Sequence, residues 1–134
     1  VRSQADAKNQ NLRLTIPPEP IYQMIHSQHM IMAICHIIEN AISYTPNDGT
    51  IDVILGPKAS GGFQITIRDT GIGINEENLP LIFNRFYRVN QARTTNEAGN
   101  GLGLSIAKAI IELHNGTINI TSQPNHGTEV TVVI

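Results

Sequence analysis

The apolar positions of this chain change period several times, and each change marks an element. Leu12, Leu14 and Ile16 alternate with Arg13 and Thr15, the two-residue period of a short half-buried strand. Pro17, Pro18 and Pro20 stop it and force extended chain. From 28 to 44 the run QHMIMAICHIIENAISY predicts a long helix, apolar round most of its circumference. Its polar residues His36, Glu39, Asn40 and Ser43 are spaced by three and four, so they align in one narrow stripe. The segment TPNDG ends the helix with turn chemistry.

Ile51, Val53 and Leu55, then Phe63, Ile65 and Ile67, mark two strands joined by a short glycine-rich connector, an antiparallel hairpin. Residues 77–88 predict a short helix, and 89–100 a polar mobile loop. Residues 101–114 predict a clear helix with Leu102, Ile106, Ala109, Ile110 and Leu113 inward and Ser105, Lys108 and Glu112 outward. Asn115-Gly116 is its C-cap signal. TINIT and TEVTVVI flank the turn SQPNHG as a closing hairpin. Residues 1–11 have no apolar period and read as the end of a preceding linker or helix, with one domain over 12–134. The order β-α-ββ-α-α-ββ predicts an α+β fold, a two-layer sandwich of one mostly antiparallel sheet with helices on a single face.

Composition narrows the function classes. At 134 residues the chain is long enough to bury roughly two-thirds of its unfolded surface without staples. Nine Lys and Arg against eleven Asp and Glu leave no basic excess, which argues against nucleic acid as a partner. Cys35 stands alone, so no disulfide forms within the chain. No apolar run reaches membrane-span length and no signal-peptide pattern opens the chain. Beginning at Val1, it reads as a piece excised from a longer protein.

Three constellations carry chemistry, each with a plainer alternative. The stripe of His36, Asn40 and Ser43 is either a narrow solvent face or the lining of a cavity, in which the Asn40 carbonyl is a hard ligand suited to Mg²⁺ when phosphates complete the shell. Asp69-Thr70-Gly71-Ile72-Gly73 is a capped glycine turn, or a carboxylate at a strand end where backbone lies close to a ligand. That carboxylate suits an exocyclic amino group such as adenine N6. Asp-Thr-Gly is also the aspartic-protease triplet, but Arg68 and Gly73 flank it wrongly, and the apolar-apolar-Gly segment Ile54-Leu55-Gly56 lies upstream. Gly99, Gly101 and Gly103 form a flexible linker, or open a helix whose free N–H groups make an anion site. P-loop, dinucleotide and eukaryotic kinase signatures are absent.

In this order and spacing the three resemble the catalytic ATP-binding domain of sensor histidine kinases, in the superfamily with DNA gyrase, MutL and the heat-shock chaperone ATPases. HIIENAISYTPNDGTI looks like the N box, DTGIGI the G1 box, LIFNRFYRV the F box and GNGLGLSIAKAIIELHNGTI the G2 box. The resemblance runs from about Leu12 to Ile134. It implies a Bergerat-type fold with ATP and Mg²⁺ as cofactors. Asn40 would ligate the metal, Tyr44 would lie against adenine or ribose, and Asp69 would bind adenine N6. Gly71, Gly73 and Ile74 would complete that loop. Phe83 and Phe86 would anchor a lid over 89–100. Gly99, Gly101 and Gly103, with the N–H groups of Leu102 and Leu104, would cradle phosphate, with Arg88, Arg93 and Lys108 as charge partners.

His36 stands where the ATPase relatives carry the Glu that activates water, so hydrolysis is expected to be slow and the phosphoryl group to await another acceptor. With Asn40 it makes the implied catalytic pair. Ser43 stands where the family often has Lys or Arg. His26, His29, His36, His114 and His126 all lack the family's phospho-acceptor pattern. The resemblance therefore implies transfer to a histidine on a separate dimerisation domain of the same kinase, and onward to a response regulator receiver domain. The fragment is expected to be monomeric and cytoplasmic, with a membrane anchor in the parent left open. Two other readings are a gyrase- or MutL-type hydrolase and a degenerate domain that binds partners without catalysis.

Overall fold

The alternating strands close into one five-stranded sheet in a computed structural model that describes residues 2–83 and 103–134. The elements are α1 (Arg2–Ala7), β1 (Asn11–Thr15), α2 (Ser27–Tyr44), β2 (Thr50–Pro57), β3 (Phe63–Asp69), a 3-10 turn (Leu79–Leu81), α3 (Gly103–Leu113), β4 (Thr117–Ser122) and β5 (Thr128–Val133). Strand order is β1-β2-β3-β5-β4. Both predicted hairpins are antiparallel neighbours, and β3 pairs antiparallel with β5. Only β1 runs parallel to its neighbour β2, because the 18-residue helix α2 carries the chain back between them. The α+β two-layer expectation holds.

Register gives the sheet two unlike faces. On one, Val53, Ile67, Val130 and Ile120 lie side by side, with Leu55, Ile65, Val132 and Ile118 in the next row. On the other, Arg13, Asp52, Arg68 and Glu129 alternate in charge across four strands. Arg13 Nη2 lies 2.8 Å from Asp52, and Arg68 Nε lies 2.8 Å from Glu129. Both helices cover the apolar face. Ala33, Ile37 and Ala41 of α2 meet Ala107, Ile110 and Ile111 of α3 over Ile67, Val130 and Val132 in one core. The helices run antiparallel. The His26 N–H at the start of α2 donates to Nε2 of His114 just after α3, while Gly103 at the start of α3 lies against His36.

Several expectations are corrected. The inward face of α3 is Ala107, Ile110 and Ile111, whereas Ala109 is exposed and Leu113 is 82% exposed. The periodicity was satisfied by two overlapping stripes, and packing on α2 selects the one carrying the small Ala107. We expect Ile111→Ala to cost about 2–5 kcal/mol and Leu113→Ala to stay within about 0.5 kcal/mol, compared by chemical denaturation. Leu14 and Ile16 are exposed because β1 is an edge strand beyond the reach of α2, and Ile16 lies outside the strand. In α2, Ile31 and Met32 are exposed while Met30 and Ala33 beside them are buried, so the apolar girdle is buried on one face in the N-terminal half. The predicted helix over 77–88 is a single 3-10 turn with Pro80 inside it as far as residue 83; 84–88 lie outside the described residues.

The glycine signal after α3 divides its labour. Asn115 takes the left-handed conformation (φ 60), and its N–H and that of Gly116 close the helix on the Glu112 and Ile111 carbonyls. Gly116 is needed for space: a Cβ there would lie 2.5 Å from the Val133 carbonyl oxygen. At the other end of the chain α1 closes in the same way, with Asn9 at φ 52 and the Gln10 N–H donating to the Ala5 carbonyl. Ala5 is fully buried in the common core. No helix among the described residues is long and apolar enough to cross a membrane.

Candidate functional site

The apolar face of the sheet turns polar in one row. Following β3 inward from Phe63, Ile65 and Ile67 leads to Asp69; following β5 back from Val132 and Val130 leads to Thr128; following β4 from Ile118 and Ile120 leads to Ser122. Register sets Asp69 beside Thr128 and Thr128 beside Ser122. Three polar side chains thus cap the end of a hydrophobic layer, where a charge is costly unless it serves a ligand.

Asp69 is only 7% exposed. Burial pushes its carboxyl up to about 6, against the opposing pull of the Gly71 and Thr128 backbone amides. Its Oδ1 accepts the Gly71 N–H at 2.8 Å. Ser122 Oγ accepts the Ile74 N–H at 2.8 Å, lies 2.8 Å from Thr128 Oγ1 and 2.9 Å from the Gly127 carbonyl. The Ser122 hydroxyl has one proton, so donating it to Gly127 makes Thr128 donate to Ser122 and leaves the Thr128 oxygen as an acceptor. Asp69, Ser122, Gln123, His126 and Thr128 line an open cavity of about 330 Å³.

The loop after β3 is stapled on both sides. Toward α2, the Ile72 N–H donates to the Tyr44 carbonyl at 3.2 Å; toward the β4–β5 turn, the Ile72 carbonyl accepts the Asn125 N–H at 2.7 Å. Gly71 packs so tightly on the Tyr44 carbonyl that a Cβ would overlap it. Gly73 sits at φ 75, and a Cβ there would collide with the Gln123 carbonyl. The two glycines therefore let Asp69, α2 and the β4–β5 turn converge.

On α2 the predicted stripe is real. His36, Glu39, Asn40 and Ser43 are all half-buried, between the buried face and the exposed N-terminal residues. Gly103 stands against His36, where a Cβ would lie 3.4 Å from Nδ1, so α3 begins one helical turn from Asn40. First-turn N–H groups of an α-helix lack intrahelical partners, and Gly103, where α3 begins, stands against His36 of the stripe. Lys108, one turn further on, places its ammonium 5.2 Å over the Phe83 ring. Tyr44, Ser43 and Ile72 line a second cavity of about 250 Å³ with Lys8, Pro46 and Asn47.

The structure thus joins Asp69 to Gly71, Gly71 and Ile72 to Tyr44, Ile74 to the β4–β5 turn, His36 to Gly103, and Lys108 to Phe83. Tyr44 and Asp69 line different cavities. Phe86, Arg88, Arg93, Gly99, Gly101, Leu102 and the predicted lid over 89–100 lie outside the described residues. Ser122 and Thr128 were missed in the sequence, although both continue an inward alternation with a polar residue, the same signal Asp69 carries. A metal cage is absent: among the described residues no group of three His, Cys, Asp or Glu could hold an ion. One half-buried Asn oxygen beside a helix N-terminus fits a Mg²⁺ that arrives with phosphates and keeps most of its own ligands.

Comparison with known proteins gives the family and agrees with the fold. The model of the histidine kinase-, DNA gyrase B- and HSP90-like ATPase family matches residues 26–134. The sensor-like histidine kinase SenX3 of Mycolicibacterium smegmatis is 36% identical over 134 residues, covering 99% of this chain and 35% of that protein. The phosphate regulon sensor protein PhoR of Pseudomonas aeruginosa is 33% identical, covering 96% and 29%. The histidine-protein kinase ArlS of Staphylococcus aureus is 38% identical, covering 96% and 26%. The chain spans about a third or less of these relatives. Among solved structures, the mycobacterial sensor histidine kinase MprB superimposes with a TM-score of 0.78 at 26% identity, covering 99% of this chain and 93% of that one. The ThkA catalytic domain reaches 0.83 at 22% identity, covering 99% and 83%, a likeness of fold. By the span of the family match, the chain belongs to the histidine kinase-, DNA gyrase B- and HSP90-like ATPases.

Proposed function

We propose that this chain is the catalytic module of a sensor histidine kinase, working in the cytoplasm. It binds Mg²⁺ and ATP and presents the γ-phosphate to a histidine on a separate dimerisation domain of the same kinase. A response regulator receiver domain takes the phosphoryl group next. The observation that carries this reading is the buried Asp69 at the polar end of the sheet, held by the Gly71 amide beside the loop that docks on α2. A desolvated carboxylate seeks a donor, and an adenine amino group supplies one.

The chain's own residues would divide the work as follows. Asp69 accepts the base, with the Thr128 hydroxyl beside it. Tyr44 closes the α2 side. Asn40 holds the Mg²⁺, which supplies charge neutralisation at the phosphates. The α3 N-terminus, with Gly103 and Leu104, supports phosphate with N–H groups, and Lys108 is within one turn of it. Gly99, Gly101, Leu102 and Arg88 complete the cradle in this reading. His36 stands in place of the carboxylate that activates water in the ATPase relatives, and in this reading positioning and charge neutralisation do the catalysis.

Mixing the chain with labelled ATP and Mg²⁺, with and without its dimerisation domain, tests the reading. Nucleotide should bind, phosphate release should be slow, and label should appear only on the dimerisation domain. No nucleotide binding, efficient self-labelling or rapid phosphate release would overturn it.

A further inference from the structure

Helix α2 is capped only in part by its own next residue, Thr45, whose N–H donates to the Ile42 carbonyl at 3.3 Å. It ends without glycine, and no basic residue lies in its last turn. Yet each of its last four carbonyls is met. Ala41 accepts from Thr45 Oγ1 at 2.7 Å, and Tyr44 accepts the Ile72 N–H at 3.2 Å. The two between, of which Ile42 also accepts the Thr45 N–H, are met from the opposite end of the sequence as well. Lys8 Nζ donates to Ile42 at 2.9 Å and lies 3.4 Å from the Ser43 carbonyl. Gln10 Nε2 donates to Ile42 at 3.1 Å and to Thr45 at 2.7 Å, with Pro46 at 3.4 Å.

Gln10 is 6% exposed, which is rare for an amide side chain. Its chain neighbours lock it there: the closure of α1 at Asn9, the Asn9 side-chain amide donating to the Asp48 carboxylate at 2.6 Å, and the Asn11 N–H on the Gly49 carbonyl at 2.9 Å. Lys8 also brings a cation to the negative end of the α2 dipole.

We propose that Gln10, assisted by Lys8, is a positioning residue for nucleotide binding. It fixes the last turn of α2 so that the Tyr44 carbonyl pins Ile72, and the pinned loop presents Asp69 to the base. The proposal rests on the nucleotide reading above and adds the entering segment of the chain to the site. The effect of Gln10 passes through three bonded contacts, Gln10 to Ile42 and Thr45, Tyr44 to Ile72, and Gly71 to Asp69.

The test uses Gln10→Met, which keeps the volume but removes the donors, and Gln10→Glu, which is isosteric but turns only acceptors toward the carbonyls. Hydrogen exchange at the Ile72 amide reports the pinning without nucleotide, and calorimetric titration with Mg²⁺ and ADP reports its consequence. Gln10→Met should speed Ile72 exchange about tenfold and raise the ADP dissociation constant about fivefold, and Gln10→Glu should do at least as much to both. Leu12→Ala, which loosens the core from β1, is the stability control and should leave ADP affinity near the parent's. Unchanged Ile72 exchange in Gln10→Met, or an equal loss of affinity in Leu12→Ala, would overturn the proposal. If Gln10→Met does not fold, Lys8→Met is read by the same two measurements and the same criteria. A parent chain that holds no ADP would sink the nucleotide reading and the binding role with it, while Ile72 exchange still reports the pinning.

Discussion

The Asp69→Asn variant should melt at a higher temperature than the parent at pH 7.5 and bind adenine nucleotide about 10- to 100-fold more weakly. Both effects have one cause. Burial raises the Asp69 carboxyl to about 6, so the fold prefers the neutral acid. Its folded value lies above its unfolded value, so its contribution to stability is fully present below the ordinary carboxylate range. That contribution is lost as pH rises through about 6, a difference of roughly 3 kcal/mol. Asparagine never pays this cost. Its oxygen can still accept the Gly71 N–H, but the amide N–H₂ faces the Thr128 N–H and the ligand's donor where the carboxylate offered an acceptor, which offsets part of the gain. The melting gap should therefore be wide at pH 7.5 and close toward pH 4, as thermal melts over that range would show. The parent's affinity for ADP should fall as pH drops through about 6, when Asp69 gains a proton. A melting gap independent of pH, or full ADP affinity in the variant, would refute the assigned role of Asp69.

Asn40→Ala should have a different signature. The position is half-buried inside α2, where alanine is the better helix former, so folding should be unharmed or slightly improved. Phosphoryl transfer to the dimerisation domain should fall about 100-fold or more, since an ion that orients and neutralises the phosphates loses its protein ligand. ADP titrations with and without Mg²⁺ should differ strongly in the parent and barely in the variant. Asn40→Asp keeps a hard oxygen but adds a negative charge facing phosphates, so it should not restore transfer. Mg²⁺-dependent transfer at the parental rate in Asn40→Ala would remove Asn40 from the site.

How much of this could be read from the residues alone depends on the range of the interactions. Strand alternation and the polar stripe of α2 are local periodicities, and they survive because each side chain's direction follows from its own backbone. Asp69 was legible as a charge at an inward position beside two glycines. Ser122 and Thr128 carried the same mark more faintly, since a hydroxyl on an inward face is less conspicuous than a carboxylate. The α3 face was misread because Leu113 and Ile111 satisfy helical period almost equally, and only the partner helix distinguishes them.

The sequence by itself determined the strands, the two long helices, the two hairpins and the two-layer class, all of which depend on backbone propensity and near-neighbour spacing. Tertiary structure decided which residues from distant segments share a row or a cap. It set Asp69, Thr128 and Ser122 side by side through register, put Gly103 on His36 through the antiparallel helices, and brought Lys8 and Gln10 to the end of α2 more than thirty residues away. Unpaired carbonyls at a helix end must find donors somewhere, but no local pattern says from where. The protein met that requirement with the segment that enters the sheet, and this choice became visible only once the chain had folded.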